Sequence, residues 1–213
     1  NSSFHFDVIK GSVRAPGLYQ ALYHARNGGV VVLDDSDSIF EDEDALNLLK
    51  AALDSSDART ISWRKESSWL SSLCESEGVE IEEVRNFVFR GGVIFITNIN
   101  MTGRIDKGHR MAPHYEALIS RSFYVDLTTS SLRARMLRVK DVFLRGGMAA
   151  RLDLQPAAAT DILHFMESYR SDLSEVSLRM ATMIAKVYKV SQNWKEIISV
   201  TKFKKGRTLK IIP

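Results

Sequence analysis

The chain has 213 residues, 45% of them hydrophobic and 26% charged, with a formal net charge of +3. That length supports one or two domains with a sizeable core, and the mildly basic balance is compatible with nucleic acid without arguing for it. Cys74 is the only cysteine, which excludes an internal disulfide and a cysteine metal cluster, and fits a reducing compartment.

Phe4 to Ile9 alternates and reads as a short strand. Lys10 to Gly17 is a loop by its Gly and Pro content, and Pro16 suits the first turn of a helix running from Gly17 to Arg26 and ending at Asn27-Gly28-Gly29. Val30-Val31-Val32-Leu33 then runs into Asp34-Asp35, an apolar strand of the kind buried on both faces of a parallel sheet. Either Asp35 or Asp37 could instead cap a helix starting near Ile39. Asp44 to Leu53 has helical spacing. Arg59–Trp63 and Asn86–Arg90 read as two strands of a hairpin with a polar insertion between them. Val93 to Thr97 is a second buried strand and ends at Asn98. Residues 99–114 read as loop. A short helix, Tyr115–Ser120, leads to Arg121, and Phe123 to Leu127 reads as a third apolar strand. After that the pattern is helical: Ser130–Leu144, Pro156–Tyr169, Ser177–Val190 and Asn193–Val200. The expected organisation is an α/β domain over 1–129, a helical domain over 130–200 and a basic tail over 201–213.

Carboxylates at the C-terminal end of a parallel strand sit where open α/β sheets bind ligands. One of the two acids there can hold Mg²⁺ through water, and its neighbour can polarise an attacking water. Asn98 ends a strand that would lie beside the first, so its amide can orient that water or a terminal phosphate. Arg121, at a helix end, can reach into a neighbouring subunit, where its planar charge suits phosphate oxygens; it can equally neutralise its own helix terminus. Arg179, one residue inside a helix N-terminus, makes a phosphate-facing corner. The five histidines (His5, His24, His109, His114, His164) show no ligand spacing, so no zinc is expected.

The order and spacing of these features resemble the AAA+ ATPases from about Phe4 to Val200, most closely bacteriophage-encoded ones. The resemblance makes Asp34-Asp35 the Walker B pair, with Asp34 holding Mg²⁺ and Asp35, standing where Glu is usual, polarising the attacking water. It makes Asn98 the first sensor, Ser120-Arg121 the arginine finger, Arg179 the second sensor and the helical region the lid. It implies a three-layer α/β core with a parallel sheet and a helical lid. It also implies ATP and Mg²⁺ as cofactors, and a homo-oligomeric ring, a hexamer, acting in phage nucleic-acid metabolism in the host cytoplasm. A degenerate, non-hydrolysing scaffold subunit and a protein-remodelling machine are the alternatives.

No Gly-x-x-x-x-Gly-Lys-Ser/Thr occurs in the chain. In the family that loop follows a first strand lying between the strand that ends at Asn98 and the one after Arg121. The chain, which starts at Asn1 in mid-pattern, is therefore expected to be a fragment whose first strand and P-loop were removed or are supplied by a separate segment, and to be inactive alone. DNA is the expected partner, contacted by pore-facing Lys10, Arg14, Arg59, Arg64 and Lys65 with Trp63 and Trp69 interleaved; the same residues also suit a peptide, and Trp63 can instead belong to the core. No membrane span and no signal peptide are expected.

Overall fold

The computed structural model describes residues 6–65, 68–128 and 131–209. Phe4, His5, Ser130 and the tail from Lys210 onward, each part of an expected element, lie outside them. The chain divides into two compact units, Asn1–Val125 and Asp126–Pro213.

The first unit is mixed α/β. Its strands are β1 (Phe6–Lys10), β2 (Val30–Asp34), β3 (Arg59–Ser62), β4 (Asn86–Phe89) and β5 (Gly92–Ile96). β1, β2 and β5 form a parallel sheet in the order β1-β2-β5, with Val8, Val32 and Ile94 in register. β3 and β4 form a separate antiparallel pair. The two sheet neighbours start close together because glycine lets them. A Cβ on Gly91 would lie 2.5 Å from the Gly29 carbonyl oxygen, so no larger residue fits there.

The sheet's two faces differ. On the odd-numbered pleat, Ile9, Val31, Leu33, Val93 and Phe95 pack into the main core. That core is built from helices α1 (Ala15–His24) and α2 (Glu43–Ala52) with the β3–β4 region. The even-numbered pleat is largely bare, with Phe6 56%, Val8 48%, Ile94 47% and Ile96 53% exposed. The described core therefore has two layers where three were expected. β5 is also an edge strand among the described residues.

Pro16 occupies the first turn of α1, where a missing N–H costs nothing. Leu18, Tyr19, Leu22 and Tyr23 form its buried stripe. The Tyr19 hydroxyl donates to the Val84 carbonyl at 2.6 Å, and its ring packs against Trp63, Trp69 and Phe87. Those two indoles are core residues, not a base-stacking surface. After β2 the chain makes a 3₁₀ turn, Asp37–Glu41, whose capping position, Ser36, makes no side-chain bond to the turn's own amides. The cap that starts α2 is Asp42, which accepts from the amides of Asp44 and Ala45. The hairpin's insertion holds two helices, α3 (Ser68–Glu77) and α4 (Ile81–Arg85).

Residues 99–114, expected as loop, contain α5 (Met101–Asp106) and the start of α6 (Ala112–Ser120). Asn100 makes the α5 start by accepting from the Gly103 amide, a cap too local for periodicity to reveal. The expected strand at Phe123–Leu127 is absent. Phe123 and Val125 are exposed and no described strand lies beside them to complete a ladder.

The second unit is helical: α7 (Leu132–Leu144), α8 (Met148–Arg151), α9 (Pro156–Ser168), α10 (Leu178–Val190) and α11 (Trp194–Lys202). Met136, Val139, Phe143, Ile162, Phe165, Ile184 and Trp194 meet in one buried core. Caps are supplied by Ser131, to the Ala134 amide, and Ser177, to the Met180 amide.

Candidate active site

The chemistry-bearing residues of the first unit collect where β2 and β5 end side by side. Asp34 is the last residue of β2, in register with Lys10 on one side and Ile96 on the other. Asp35 follows in the left-handed region, φ 55°, a conformation that aspartate tolerates better than most residues. Its amide still donates to the Ile96 carbonyl, at 3.0 Å, so the backbone pairing with β5 runs one step past the strand. Asn98, two residues beyond β5, donates its side-chain amide to an Asp35 carboxylate oxygen at 2.9 Å. Asp35 and Asn98 are both exposed.

Three further contacts brace this rim. The Lys10 ammonium pairs with Asp34 at 2.9 Å, and that hydrogen bond raises the lysine's pKa above its ordinary value. Buried Ser36 donates its hydroxyl to the Ile9 carbonyl, tying the loop after β2 to β1. Thr97 donates to an Asp37 carboxylate oxygen at 2.5 Å and accepts from the Ile99 amide. Asp37 is thus occupied in joining β5 to the 3₁₀ turn. Sequence reasoning missed this pair because its residues are 60 positions apart.

The other expected site residues lie elsewhere. Arg121 is the C-terminal cap of α6 and is exposed; its guanidinium donates to the Ala117 carbonyl of its own helix at 3.0 Å. It lines a hollow with Leu53, Asp54, Ser55 and Arg59. The Ser56 hydrogen bonds, with Arg121's charge a smaller contribution, hold the Asp54 carboxyl below its ordinary value. Arg179 belongs to the second unit. It is exposed at the head of α10 and lines a cavity of about 670 Å³ with Arg135, Arg138 and Glu175.

The cations expected to face a pore are mostly engaged within the first unit. Lys10 is on Asp34. Arg59 donates to the carbonyls of Ala52 and Gly91 at 2.9 and 3.0 Å and lies over the Phe89 ring, a role in packing. Arg64 reaches Asn86 and Glu82, and Lys65 is paired with Asp44. Arg14 is exposed at the head of α1.

Among the described residues no group of three or more His, Cys, Asp or Glu side chains could hold a metal ion. Mg²⁺ ordinarily needs only one or two carboxylates beside phosphate and water, and the Asp34–Asp35 pair meets that requirement. No helix of the described residues is long and apolar enough to cross a membrane.

No family profile matches this chain. No solved structure matches it either. It is similar to an uncharacterised 36.7 kDa protein in the nrdC-mobD intergenic region of Enterobacteria phage T4, with 37% identity over 193 residues. That similarity covers 90% of this chain but 57% of the relative, so the chain spans little more than half the length of the protein it matches.

Proposed function

We propose that this chain forms the strand-end and lid portions of a nucleotide-hydrolysing AAA+ subunit that works on ATP in a homo-oligomeric ring, in phage nucleic-acid metabolism within the host cytoplasm. The observation that carries this reading is the adjacency of Asp34, Asp35 and Asn98 at the C-terminal ends of two parallel neighbouring strands. Two acids and an amide there match the needs of phosphoanhydride hydrolysis: one carboxylate for a hydrated cation, one to polarise water and an amide to orient it. Bound Mg²⁺ would supply charge neutralisation at the phosphates. Asp34 would hold it after releasing Lys10, while Asp35 accepts the water proton and Asn98 fixes the water's direction.

The uncovered sheet supports the same reading. Among the described residues β5 has an open edge and Val8, Ile94 and Ile96 form a bare apolar face, and one strand–loop–helix unit would fill both, its strand pairing with β5 and its helix lying on that face. A phosphate-binding loop between that strand and helix would lie at the sheet's C-terminal edge, beside Asp34.

Asp35, a shorter acid than glutamate, already accepts the Asn98 amide, an arrangement that also suits a non-hydrolysing scaffold subunit. Mixing separates the two readings. In the product of the complete reading frame, Arg121→Ala subunits keep their own carboxylates and Asp35→Asn subunits keep their finger. Hydrolysis should be lost by about 10³-fold in each variant and partly recovered in mixed rings. Normal turnover in the Arg121→Ala variant, with lowered thermal stability, would instead assign Arg121 only to the helix terminus that it caps.

A further inference from the structure

The chain's modest net charge hides a strong segregation. The first unit, Asn1–Val125, carries 13 Lys and Arg against 18 Asp and Glu, a formal −5. The second, Asp126–Pro213, carries 16 against 8, a formal +8. A polyanion meeting this molecule therefore finds repulsion at the first unit and attraction at the second.

Within the second unit the cations gather in two stretches, α7 and the segment from Lys202 to Lys210, and α7 presents its cations on a regular helical face. Arg133, Arg135, Arg138 and Lys140 on this helix, and Arg145 at its C-terminal cap, are all exposed. Its single acid, Asp141, is taken by Arg145 at 2.9 Å. Arg138 spends one of its five N–H donors on the Leu127 carbonyl, which fixes the side chain without neutralising it. Elsewhere in the unit, Lys189, Lys195 and Arg207 sit on Asp153, Asp161 and Asp172. The buried stripe of α7 is Met136, Val139 and Phe143. At 100° per residue, Arg133 and Lys140 fall on one side of that stripe and Arg135 and Arg138 on the other. Cations thus border the exposed face on both sides, over about 10 Å of helix at ~1.5 Å per residue.

We propose that α7 of the second unit is a nucleic-acid docking surface that grips the phosphate backbone through Arg133, Arg135, Arg138 and Lys140. This names a track for the hydrolytic reading but stands on the second unit's own charge and needs no nucleotide. The face carries no aromatic side chain to stack on bases, so binding is expected to be insensitive to sequence and steeply salt-dependent. An anionic membrane is the weaker fit. The apolar stripe of α7 is consumed by the core, leaving Leu137 and Leu144 as the exposed apolar contacts of the helix.

The test is nucleotide-free fluorescence anisotropy of this chain with labelled single strands and duplexes of about 30 nucleotides, across a salt series. The wild type should bind both. Replacing the four cations with Gln should weaken binding at least tenfold and lower the salt slope by about three, since each lost phosphate contact removes roughly 0.7–0.9. The corresponding fourfold Lys/Arg-conserving variant (Arg133→Lys, Arg135→Lys, Arg138→Lys, Lys140→Arg) should retain the slope. Single Arg133→Gln and Lys140→Gln variants, which disturb folding least, should each lower it by about one. An Arg14→Gln, Arg64→Gln, Lys65→Gln variant of the first unit should leave it unchanged. The proposal is overturned if the wild type does not bind, if the α7 variants keep the wild-type slope, or if the first-unit variant loses as much. It is also overturned if phosphatidylserine vesicles are bound in preference to both nucleic acids. None of these outcomes bears on ATP turnover, which is read separately in the complete protein.

Discussion

The two units solve the problem of burial differently. The helical second unit closes its core on itself: Ile184, Met166 and Phe143 are wholly buried, and its charge is turned outward. The first unit buries one pleat of its sheet and leaves the other exposed, with Phe6, Val8, Ile94 and Ile96 in the open. Parallel sheets are normally covered on both faces because every crossover places a helix on one of them. Under the proposed reading, the half-covered sheet with carboxylates at its strand ends is where the phosphate-loop segment would pack, and the closed bundle with its surplus of cations is where nucleic acid would dock.

A charge placed on each kind of surface separates the two units most strongly. Ile184→Asp buries an unpaired carboxylate and should cost about 4 kcal/mol or more, enough to unfold the second unit. Ile94→Asp in this chain should change stability by no more than about 0.5 kcal/mol, as for an ordinary surface position. In the product of the complete reading frame, where the proposed helix covers that face, the same Ile94→Asp should become strongly destabilising. Urea midpoints for both variants in both proteins give the answer, and equal small effects in the two proteins would mean that the face stays bare.

Much of this contrast was legible in the residues. The run from Val30 to Asp34 followed by a second acid, and the run ending at Ile96 with Asn98 beyond it, are continuous apolar segments whose only comfortable home is a parallel sheet, and they are neighbours there. The helices of the second unit follow from period and caps, as with Ser177 before α10. What periodicity could not reveal was pairing across long separations. Phe123 to Val125 has strand composition, but a strand also needs a neighbour. Lys10 and Arg59 look available in the sequence until Asp34 and the carbonyls of Ala52 and Gly91 are brought to them by the fold. The charge segregation was in the sequence throughout, concealed by summing over both units.

A smaller effect separates the interior of the first unit from its rim. Tyr19→Phe leaves the Val84 carbonyl without its partner and should cost about 1–3 kcal/mol. Burial pushes the Tyr19 phenol above its ordinary pKa of 10.0. Because the folded value is raised, the stability linked to it is complete below about pH 10 and is lost as pH rises above that point toward the folded value. Urea midpoints between pH 8 and 11 should fall for the wild type and fall less for Tyr19→Phe.

The smallest expected change lies in the second unit. Ser177→Ala removes the cap on α10 and should cost about 1 kcal/mol, seen as a lower melting temperature with unaltered helix content below the transition.

If Asp35 polarises the water that attacks a bound nucleotide, Asp35→Asn in the product of the complete reading frame separates binding from chemistry, with ATP affinity by calorimetry and phosphate release measured on the same preparation. Mg²⁺-dependent turnover is expected in the wild type, and in the variant an unchanged affinity with turnover abolished. Near-normal turnover in Asp35→Asn, or no ATP binding by the complete product, would contradict that role of Asp35.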